Sequence, residues 1–230
     1  GAYGSVMATK RIRHPVRVAR RLLDAGDGQV RMLAGEGAER FAAAEGFDLV
    51  DNKTLICDRE RERVERLRAQ AETVHTSDSF LPGAIDPETG ERLPGGGHDT
   101  VGCVVCDADG HLAAATSTGG TPFKPPGRVG DSPLPGCGFY ADEGVAVSCT
   151  GWGEAIAAVV LAHDIAGRIH RGTAPEPAVR AGLSRMHDRV KAPSGAGARG
   201  GCIVCTPTEA AFAFTTPRMA RATDHGIRLE

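Results

Sequence analysis

The stretch HDTVGCVVCDADGHLAAATST, residues 98–118, indicates the fold of the chain more clearly than any other. Val101 to Asp107 is an apolar, β-branched run typical of a strand. Ala108-Asp109-Gly110 has the composition of a tight turn, and His111 to Thr118 predicts the returning strand of a β-hairpin. Thr100 therefore stands directly before a hairpin.

A long segment poor in apolar residues precedes this hairpin. Residues 74–99 contain Pro82-Gly83, Asp86-Pro87 and Gly95-Gly96-Gly97 and lack apolar periodicity. A structureless loop longer than ~15 residues inside a compact domain requires an explanation. We therefore expect a flexible linker that ends at Asp99.

Helical and strand-like patterns alternate through the rest of the chain. Apolar residues at helical spacing follow His14-Pro15, and a charged stretch over 58–73 predicts a solvated helix. The remaining predictions are a short strand over 30–33, a helix over 37–45, a buried strand over 145–149, a break at 150–154 leading into a helix through 171, a helix over 175–191 and a strand pair over 201–206 and 210–215. This order predicts an α+β fold with layered packing.

The composition limits the class of protein. The chain has 230 residues, 41% of them hydrophobic, which is enough for one large domain or two small ones. A net charge of -2 gives no field that would attract nucleic acid or an anionic membrane, and 4% aromatic residues argues against base stacking. No apolar run approaches the roughly 18 residues of a membrane span. We expect a cytoplasmic protein whose partner is a small molecule or another protein.

Seven cysteines, an odd number, favour reduced thiols over a disulfide framework. Two CxxC pairs, Cys103/Cys106 and Cys202/Cys205, lie in apolar, β-branched runs. Residues three apart on a strand point to opposite faces, so neither pair can close on one metal ion. We expect these cysteines to be buried small hydrophobic residues and the protein to hold no metal.

Two motifs match known catalytic signatures only in part. The strand followed by Gly151-x-Gly153 and a helix is similar to a dinucleotide-binding turn, but Ile156 stands where that motif needs Gly or Ala. Ala115-Thr116-Ser117-Thr118-Gly119 is similar to a nucleophile elbow, but it lacks the first Gly and lies on a hairpin strand. Both remain less favoured alternatives.

Thr100 is a candidate nucleophile because it lies between a linker and a buried strand. Cleavage before Thr100 would leave an α-amino group within reach of the threonine hydroxyl, where it could act as the base. Oxyanion donors could come from Thr150 and the Gly151 N–H, where a strand gives way to a helix N-terminus. Arg128 and Asp131 could bind the carboxylate and ammonium of an amino acid, or could form a salt bridge that stabilises their loop. Such a site needs neither histidine, cofactor nor metal.

Four motifs occur in the order found in one enzyme family. HDTVG at 98–102, TSTGG at 116–120, GRVGDSP at 127–133 and TGWGE at 150–154 together resemble the N-terminal-nucleophile (Ntn) hydrolases of the plant-type asparaginase/isoaspartyl peptidase family. The resemblance extends over nearly the whole chain. It implies a four-layer αββα sandwich, made as a precursor that cleaves itself into two chains.

The same resemblance implies how the chain is divided. Residues 1–73 would be the α-chain part of one Ntn-hydrolase domain, 74–99 a linker ending at the autocleavage site, and 100–230 the β-chain part that carries the nucleophile. Family members begin with a strand and a helix upstream of Tyr3, a part that also holds an Asn near the nucleophile and a loop that binds an alkali-metal ion. We therefore expect a sequence truncated at its N-terminus, without its first strand–helix unit.

The resemblance also implies catalytic roles. Asp99–Thr100 is the scissile bond of self-cleavage, and Thr100 then attacks a side-chain amide or a β-aspartyl carbonyl. Thr118 supports the nucleophile by hydrogen bonding. Thr150 and the Gly151 N–H stabilise the oxyanion of the tetrahedral intermediate.

Substrate binding and product release complete the implied scheme. Arg128 would hold the substrate α-carboxylate and Asp131 its α-ammonium group, with backbone groups of Gly151 and Gly153 assisting. An acyl-enzyme forms, and water then releases aspartate without a cofactor. The substrates implied are isoaspartyl dipeptides and L-asparagine, and the assembly implied is a homodimer of αβ units.

Two alternatives to this activity remain open. Phe123-Lys124 and the His98-Asp99-Thr100 triplet are similar to the sister glycosylasparaginase branch, whereas Gly119-Gly120 and Gly153-Glu154 favour the isoaspartyl peptidase/asparaginase branch. Both branches use the same nucleophile chemistry. An uncleaved, non-catalytic α+β module is the alternative outside catalysis.

Overall fold

The structure contains the helices and strands that the sequence predicts, in the predicted order, but with two helices in place of the one predicted through Arg171. It adds short strands at Ser5–Met7, Phe139–Ala141, Arg221–Thr223 and Gly226–Arg228. In the computed structural model the described residues are 2–25, 28–70, 100–121, 124–223 and 226–228. The predicted linker over 74–99 lies outside them, and with it Asp99; so does Phe123. The described part of the chain confirms an α+β architecture.

Contacts divide the chain into two compact units. Unit 1 comprises Gly1–Thr76 and Thr121–Val129, and unit 2 comprises Ser77–Gly120 and Gly130–Glu230. The division into an α-chain part and a β-chain part remains a prediction, because self-cleavage rather than contact defines it.

Unit 1 begins with a β-α-β arrangement. Strands β1 (Ser5–Met7) and β2 (Met32–Ala34) pair in parallel, with helix α1 (Pro15–Ala25) between them in the chain. Helix α1 starts with proline, which suits the first helical turn, and it buries Val18 and Leu22, four residues apart on one face. Helix α2 (Gly35–Ala44), a short 3-10 helix (Asn52–Leu55) and helix α3 (Asp58–Gln70) follow. The small core of this unit contains Ile12, Val18, Ala38 and Ala42.

Unit 2 contains a β-hairpin and a four-stranded antiparallel sheet. The hairpin joins β3 (Val101–Cys106) to β4 (Leu112–Ser117). The sheet consists, in spatial order, of β5 (Phe139–Ala141), β6 (Ala146–Gly151), β7 (Gly200–Cys205) and β8 (Ala210–Phe214). The same unit also contains α4 (Gly153–Val159), α5 (Leu161–His170), α6 (Pro175–Arg189) and an antiparallel pair, β9 (Arg221–Thr223) and β10 (Gly226–Arg228).

The four-stranded sheet of unit 2 is covered on both faces. Val147 and Cys149 of β6 belong to the core that the sheet forms with α4, α5 and α6. Ser148, between them, points to the opposite face and meets Gly102 and Thr116 of the hairpin. This double cover explains why the apolar run 145–149 is buried throughout.

The single helix predicted through Arg171 is wrong. The structure has two helices there, α4 and α5, separated at Val160, whose φ of 52° lies in the left-handed region. Arg185 donates from Nη1 to the carbonyl oxygen of Val159 at 2.9 Å, so a side chain from α6 satisfies a carbonyl at the end of α4. Among the helices of the described ranges, none is both long and apolar enough to cross a membrane.

The four cysteines of the CxxC pairs lie where the sequence predicts strands, but not all are buried. All seven fall within the described residues and are free of disulfide bonds. Cys103 and Cys106 lie on β3, and Cys202 and Cys205 on β7. Cys202 is buried, and Cys106 and Cys205 are only partly buried. Cys103 is exposed, so its assignment as a buried hydrophobic residue is wrong. The cause is that Cys103 lies on the face of β3 opposite to the one that packs on the sheet.

Candidate active site

Thr100 lies at the open end of the hairpin, beside Thr118. The β3–β4 ladder ends with Val101 opposite Ser117, which brings the next residue of each strand together. The Thr100 hydroxyl donates to Thr118 Oγ1 at 3.2 Å, and the Gly120 N–H donates to the same oxygen at 3.0 Å. Thr100 is half-buried. A hydroxyl both donates and accepts, so Thr118 can turn its own proton toward Thr100 Oγ1 without moving either side chain.

Thr150 and Gly151 form the corner at which β6 ends. The strand does not break at Thr150, as the sequence predicted, because pairing with β7 continues through Gly151 opposite Gly200. Gly151 has a φ of 141°, and α4 begins two residues later at the buried Gly153. The first N–H groups of a helix lack partners within the helix, so this corner offers donors to an anion.

The direction of β3 across the sheet brings the predicted nucleophile toward this corner. A Cβ added to Gly102 would clash with Ser148 Oγ and lie 3.1 Å from Ser148 Cβ, so the two residues are in direct contact. At the other end of β3, Cys106 lies near Cys205 of β7. Burial raises the pKa of the Cys205 thiol, and the neighbouring Cys106 thiol raises it further. Cys205 lies at the end of the β6–β7 ladder farthest from Thr150. Strand β3 therefore starts at the Thr150 end of the ladder.

Asp131 is held by backbone contacts in the same unit. Its side chain is buried, and its carbonyl oxygen accepts from the N–H groups of Leu134 at 2.8 Å and Gly138 at 3.2 Å. Burial raises the pKa of the Cys137 thiol, and the nearby Asp131 carboxylate raises it further. The loop is thus anchored at Gly138, immediately before β5.

Arg128 belongs to unit 1, within Thr121–Val129. It is half-buried, and its N–H donates to the Pro125 carbonyl at 3.1 Å, which closes a tight turn. Of the predicted site residues, unit 2 therefore contains the three threonines, both corner glycines and the acidic residue: Thr100, Thr118, Thr150, Gly151, Gly153 and Asp131. The scissile partner Asp99 lies outside the described residues.

Two hydroxyls and two glycines near this site have no role in the motif-based prediction. Thr116 and Ser148 are hydrogen-bonded between the hairpin and the sheet, with 2.7 Å between their Oγ atoms. Gly200 and Gly201 lie opposite Gly151 and Thr150 on β7. Two sequence features could have pointed to these residues: Ser148 interrupts the apolar run 145–149, and Gly200 and Gly201 stand at the start of a predicted strand.

One set of possible metal ligands occurs in the described part of the chain, and it lies away from Thr100. Asp107, Asp109 and His111 are exposed in the β3–β4 turn. Asp107 Oδ1 accepts from the backbone N–H groups of His111 and Asp109, at 2.8 and 3.0 Å. These hydrogen bonds, the one from the His111 backbone first, hold the pKa of Asp107 below its ordinary value. The cluster is explained as a turn-stabilising network.

Comparison with known proteins gives a consistent result. The family model described as asparaginase matches residues 1–229. The isoaspartyl peptidase/L-asparaginase of Bos taurus is 37% identical over 193 residues, covering 84% of this chain and 57% of the relative. The isoaspartyl peptidase of Escherichia coli K12 is 41% identical over 170 residues, covering 74% and 49%. A probable isoaspartyl peptidase/L-asparaginase of Arabidopsis thaliana is 38% identical over 171 residues, covering 70% and 52%. The chain thus spans about half the length of the curated relatives it matches.

Proposed function

Because the chain belongs to the asparaginase family, we propose that it carries the nucleophile of an autoprocessing N-terminal threonine hydrolase. The proposed reaction is hydrolysis of isoaspartyl dipeptides and of L-asparagine, with release of aspartate. The observation that carries the proposal is the Thr100–Thr118 hydrogen bond at the start of a hairpin. Relatives named isoaspartyl peptidase or isoaspartyl peptidase/L-asparaginase favour these substrates over glycosylasparagine.

The proposed fold is the four-layer αββα sandwich of Ntn hydrolases. Unit 2 supports it with three successive layers: the hairpin, the four-stranded sheet, and the helices α4 to α6. We further propose that 1–73 belongs to the α-chain and 100–230 to the β-chain, with 74–99 as the linker between them. A homodimer of αβ units is proposed as the assembly.

The proposed mechanism begins with cleavage of the Asp99–Thr100 bond. The freed α-amino group of Thr100 is the base, and it takes the proton from Thr100 Oγ1 as this oxygen attacks the substrate carbonyl carbon. Thr118, already hydrogen-bonded to that oxygen, turns its proton toward it. The nucleophile then needs no histidine.

The negative charge of the tetrahedral intermediate falls on the former carbonyl oxygen. We propose that the Thr150 hydroxyl and the Gly151 N–H donate to it, at the corner where β6 ends. The carbon–nitrogen bond breaks, the ammonium of Thr100 returns its proton to the leaving amine, and an ester to Thr100 remains. Water attacks this ester with the same amino group as base. The bond between the carbonyl carbon and Thr100 Oγ1 then breaks, Oγ1 takes the proton back from the ammonium, and aspartate leaves.

We propose that Arg128 and Asp131 bind the aspartyl part of the substrate. Arg128 would bind the α-carboxylate, and a guanidinium suits this role because it offers two parallel donors. Asp131 would bind the α-ammonium group, with backbone groups of Gly151 and Gly153 assisting. The anchoring of the Asp131 backbone supports a fixed position for its carboxylate.

Replacement of the nucleophile tests the proposal in the full-length protein. Aspartate release from an isoaspartyl dipeptide and from L-asparagine should fall by more than about 10³-fold in Thr100→Ala, because the proposed acyl intermediate forms on the Thr100 hydroxyl. Thr100→Ser keeps a hydroxyl and should retain measurable turnover. The matched control, Thr173→Ala, changes an exposed threonine after α5 and should leave the rate unchanged.

The possible outcomes separate the alternatives. Turnover that survives Thr100→Ala would assign the chemistry to another residue. A wild-type protein that releases no aspartate from either substrate, and stays uncut, would support a non-catalytic module instead.

A further inference from the structure

We propose that Thr116 is a positioning residue, whose hydroxyl sets the hairpin that carries the nucleophile against the strand that carries the oxyanion donors. The inference deepens the proposed function and rests on it for its catalytic meaning. The contacts that support it form a partly buried bridge from Thr116 to Ser148 and to the carbonyl oxygen of Gly138.

The direction of each hydrogen bond in this bridge follows from proton counting. The Thr116 hydroxyl donates to the Gly138 carbonyl oxygen at 3.2 Å. A hydroxyl has one proton, so the 2.7 Å contact with Ser148 has Ser148 as donor and Thr116 as acceptor. Ser148 is only 3% exposed. A buried hydroxyl that loses its partner is costly, so the two side chains hold each other in place.

The bridging residues lie next to the proposed catalytic threonines on the same face, two positions earlier in the chain. Thr116 of β4 is two residues before Thr118, which directly follows the strand, and Ser148 is two residues before Thr150 on β6. Residues two apart on a strand share a face and are separated by about 6.6 Å. The Thr116–Ser148 contact therefore fixes how Thr118, and with it Thr100, faces Thr150.

Gly102 completes the fit between the two layers. It is the cross-strand partner of Thr116, and it sits directly on Ser148. Because Gly102 has no side chain, the hairpin comes close enough for the hydroxyls of Thr116 and Ser148 to meet. Without this approach the polar bridge could not form.

The hydrogen bond from Thr116 to Gly138 connects the bridge to the loop that carries Asp131. The Gly138 carbonyl accepts from the Cys149 N–H at 2.9 Å as well as from Thr116. The Gly138 N–H donates to the Asp131 carbonyl, and a Cβ at Gly138 would lie 2.5 Å from that same oxygen. Thr116, on the hairpin that follows Thr100, is thus hydrogen-bonded to β6 through Ser148. Through Gly138 it is also connected to Asp131.

The first test compares variants that separate the hydroxyl from the shape of the side chain. Thr116→Val keeps the volume and β-branching but removes the hydroxyl, whereas Thr116→Ser keeps the hydroxyl and removes a methyl group. A misplacement of about 1 Å can cost about 10²-fold in rate. We expect kcat for the isoaspartyl dipeptide to fall by about 10- to 100-fold in Thr116→Val with a smaller change in KM, and to stay within about threefold in Thr116→Ser.

A matched control removes a comparable hydroxyl at the other end of the sheet. Thr206 Oγ1 donates to the Glu209 carbonyl and accepts from the Glu209 N–H in the β7–β8 turn, so Thr206→Val also breaks two hydrogen bonds. It should leave kcat unchanged. Equal kcat in Thr116→Val and wild type, or equal losses in the Val and Ser variants at 116, would overturn the proposal.

A second readout does not depend on catalysis. Amide hydrogen exchange over 101–106 and 131–138 should become about tenfold faster in Thr116→Val, while Thr116→Ser and Thr206→Val leave it unchanged there. If the wild type proves inactive, the proposed function fails and this exchange pattern still decides whether Thr116 sets the hairpin. Unchanged exchange in Thr116→Val would overturn that role.

Discussion

Glycine is required at residue 151 because two backbones meet there. A Cβ on Gly151 would lie 2.5 Å from Gly200 Cα and 2.6 Å from the Arg199 carbonyl oxygen. Both contacts are with backbone atoms, which cannot swing aside as the end of a flexible side chain can. The φ of 141° adds a second restriction, since side chains avoid this region. The geometry of the β6 end and the proposed oxyanion donor thus depend on the same residue.

Gly151→Ala should lower the free energy of unfolding by about 2–5 kcal/mol, because backbone strain and overpacking add. The matched control is Gly172→Ala, where φ is also positive, at 90°, but the new Cβ meets nothing within 4 Å. The control should lose only about 1–2 kcal/mol from strain. Urea unfolding measures both variants, and equal losses would show that the close approach to Gly200 contributes nothing.

The β5–β6 turn is tied to the end of α5 by one carboxylate. Asp142 Oδ1 accepts from the N–H groups of Gly144 at 2.9 Å and Val145 at 3.1 Å, and Oδ2 lies 2.7 Å from His170 Nε2. Burial raises the pKa of Asp142, but the Gly144 N–H and hydrogen bonds from His170 and Tyr140 outweigh it and hold the pKa below its ordinary value. The turn that leads into β6 is therefore held by a charged group.

The stability that Asp142 contributes should depend on pH in a defined direction. Its pKa is lower in the folded than in the unfolded state, so the contribution is complete above about pH 5 and is lost as the pH falls below about 4. In Asp142→Asn this part of the dependence disappears. Urea unfolding of the wild type and the variant between pH 7 and pH 3 should show curves that converge toward low pH.

The control for this experiment is Asp109→Asn, which removes an exposed carboxylate from the β3–β4 turn. Its stability curve should run parallel to that of the wild type. A constant difference between Asp142→Asn and the wild type at every pH would contradict the charged role of Asp142.

The proposed chemistry depends on a change in the covalent structure of the whole chain. Thr100 has an α-amino group to act as base only after the bond to Asp99 is broken. Cleavage would divide the chain within unit 2, between the segment 77–99 and the hairpin. The hairpin packs on the four-stranded sheet, so the new N-terminus would remain attached to folded structure. Self-cleavage is therefore compatible with an intact unit.

Mass spectrometry of the full-length protein should find a chain that begins at Thr100. For residues 100–230 the expected mass is about 13–14 kDa, in proportion to 23.9 kDa for 230 residues. Thr100→Ala should remain uncut, because the proposed self-cleavage uses the Thr100 hydroxyl as its nucleophile. An uncut wild-type chain that still releases aspartate would contradict the mechanism, since its Thr100 has no free amine.

The α+β class and most of the longer helices and strands could be predicted because their signals are local. The hairpin follows from a β-branched run, a turn and a second run, and helix α6 from proline and apolar spacing. The break at Val160 could not be predicted, because its sequence surroundings favour a continuous helix and the contact from Arg185 lies 26 residues away. The exposure of Cys103 depends equally on which face of β3 packs on the sheet.

The sequence by itself determined most of the longer helices and strands, their order and the residue types of the four motifs, since each depends on neighbours in the chain. Only the tertiary structure decided how the motifs are fitted together. The Thr116–Ser148 bridge joins residues 32 positions apart, and the approach of Gly151 to Gly200 joins two strands separated by three helices. Such contacts form only when the layers pack against each other. Which residues meet depends on the shapes of both surfaces and on the hydrogen-bonding groups that both bury, and a local sequence pattern describes only one of the two surfaces.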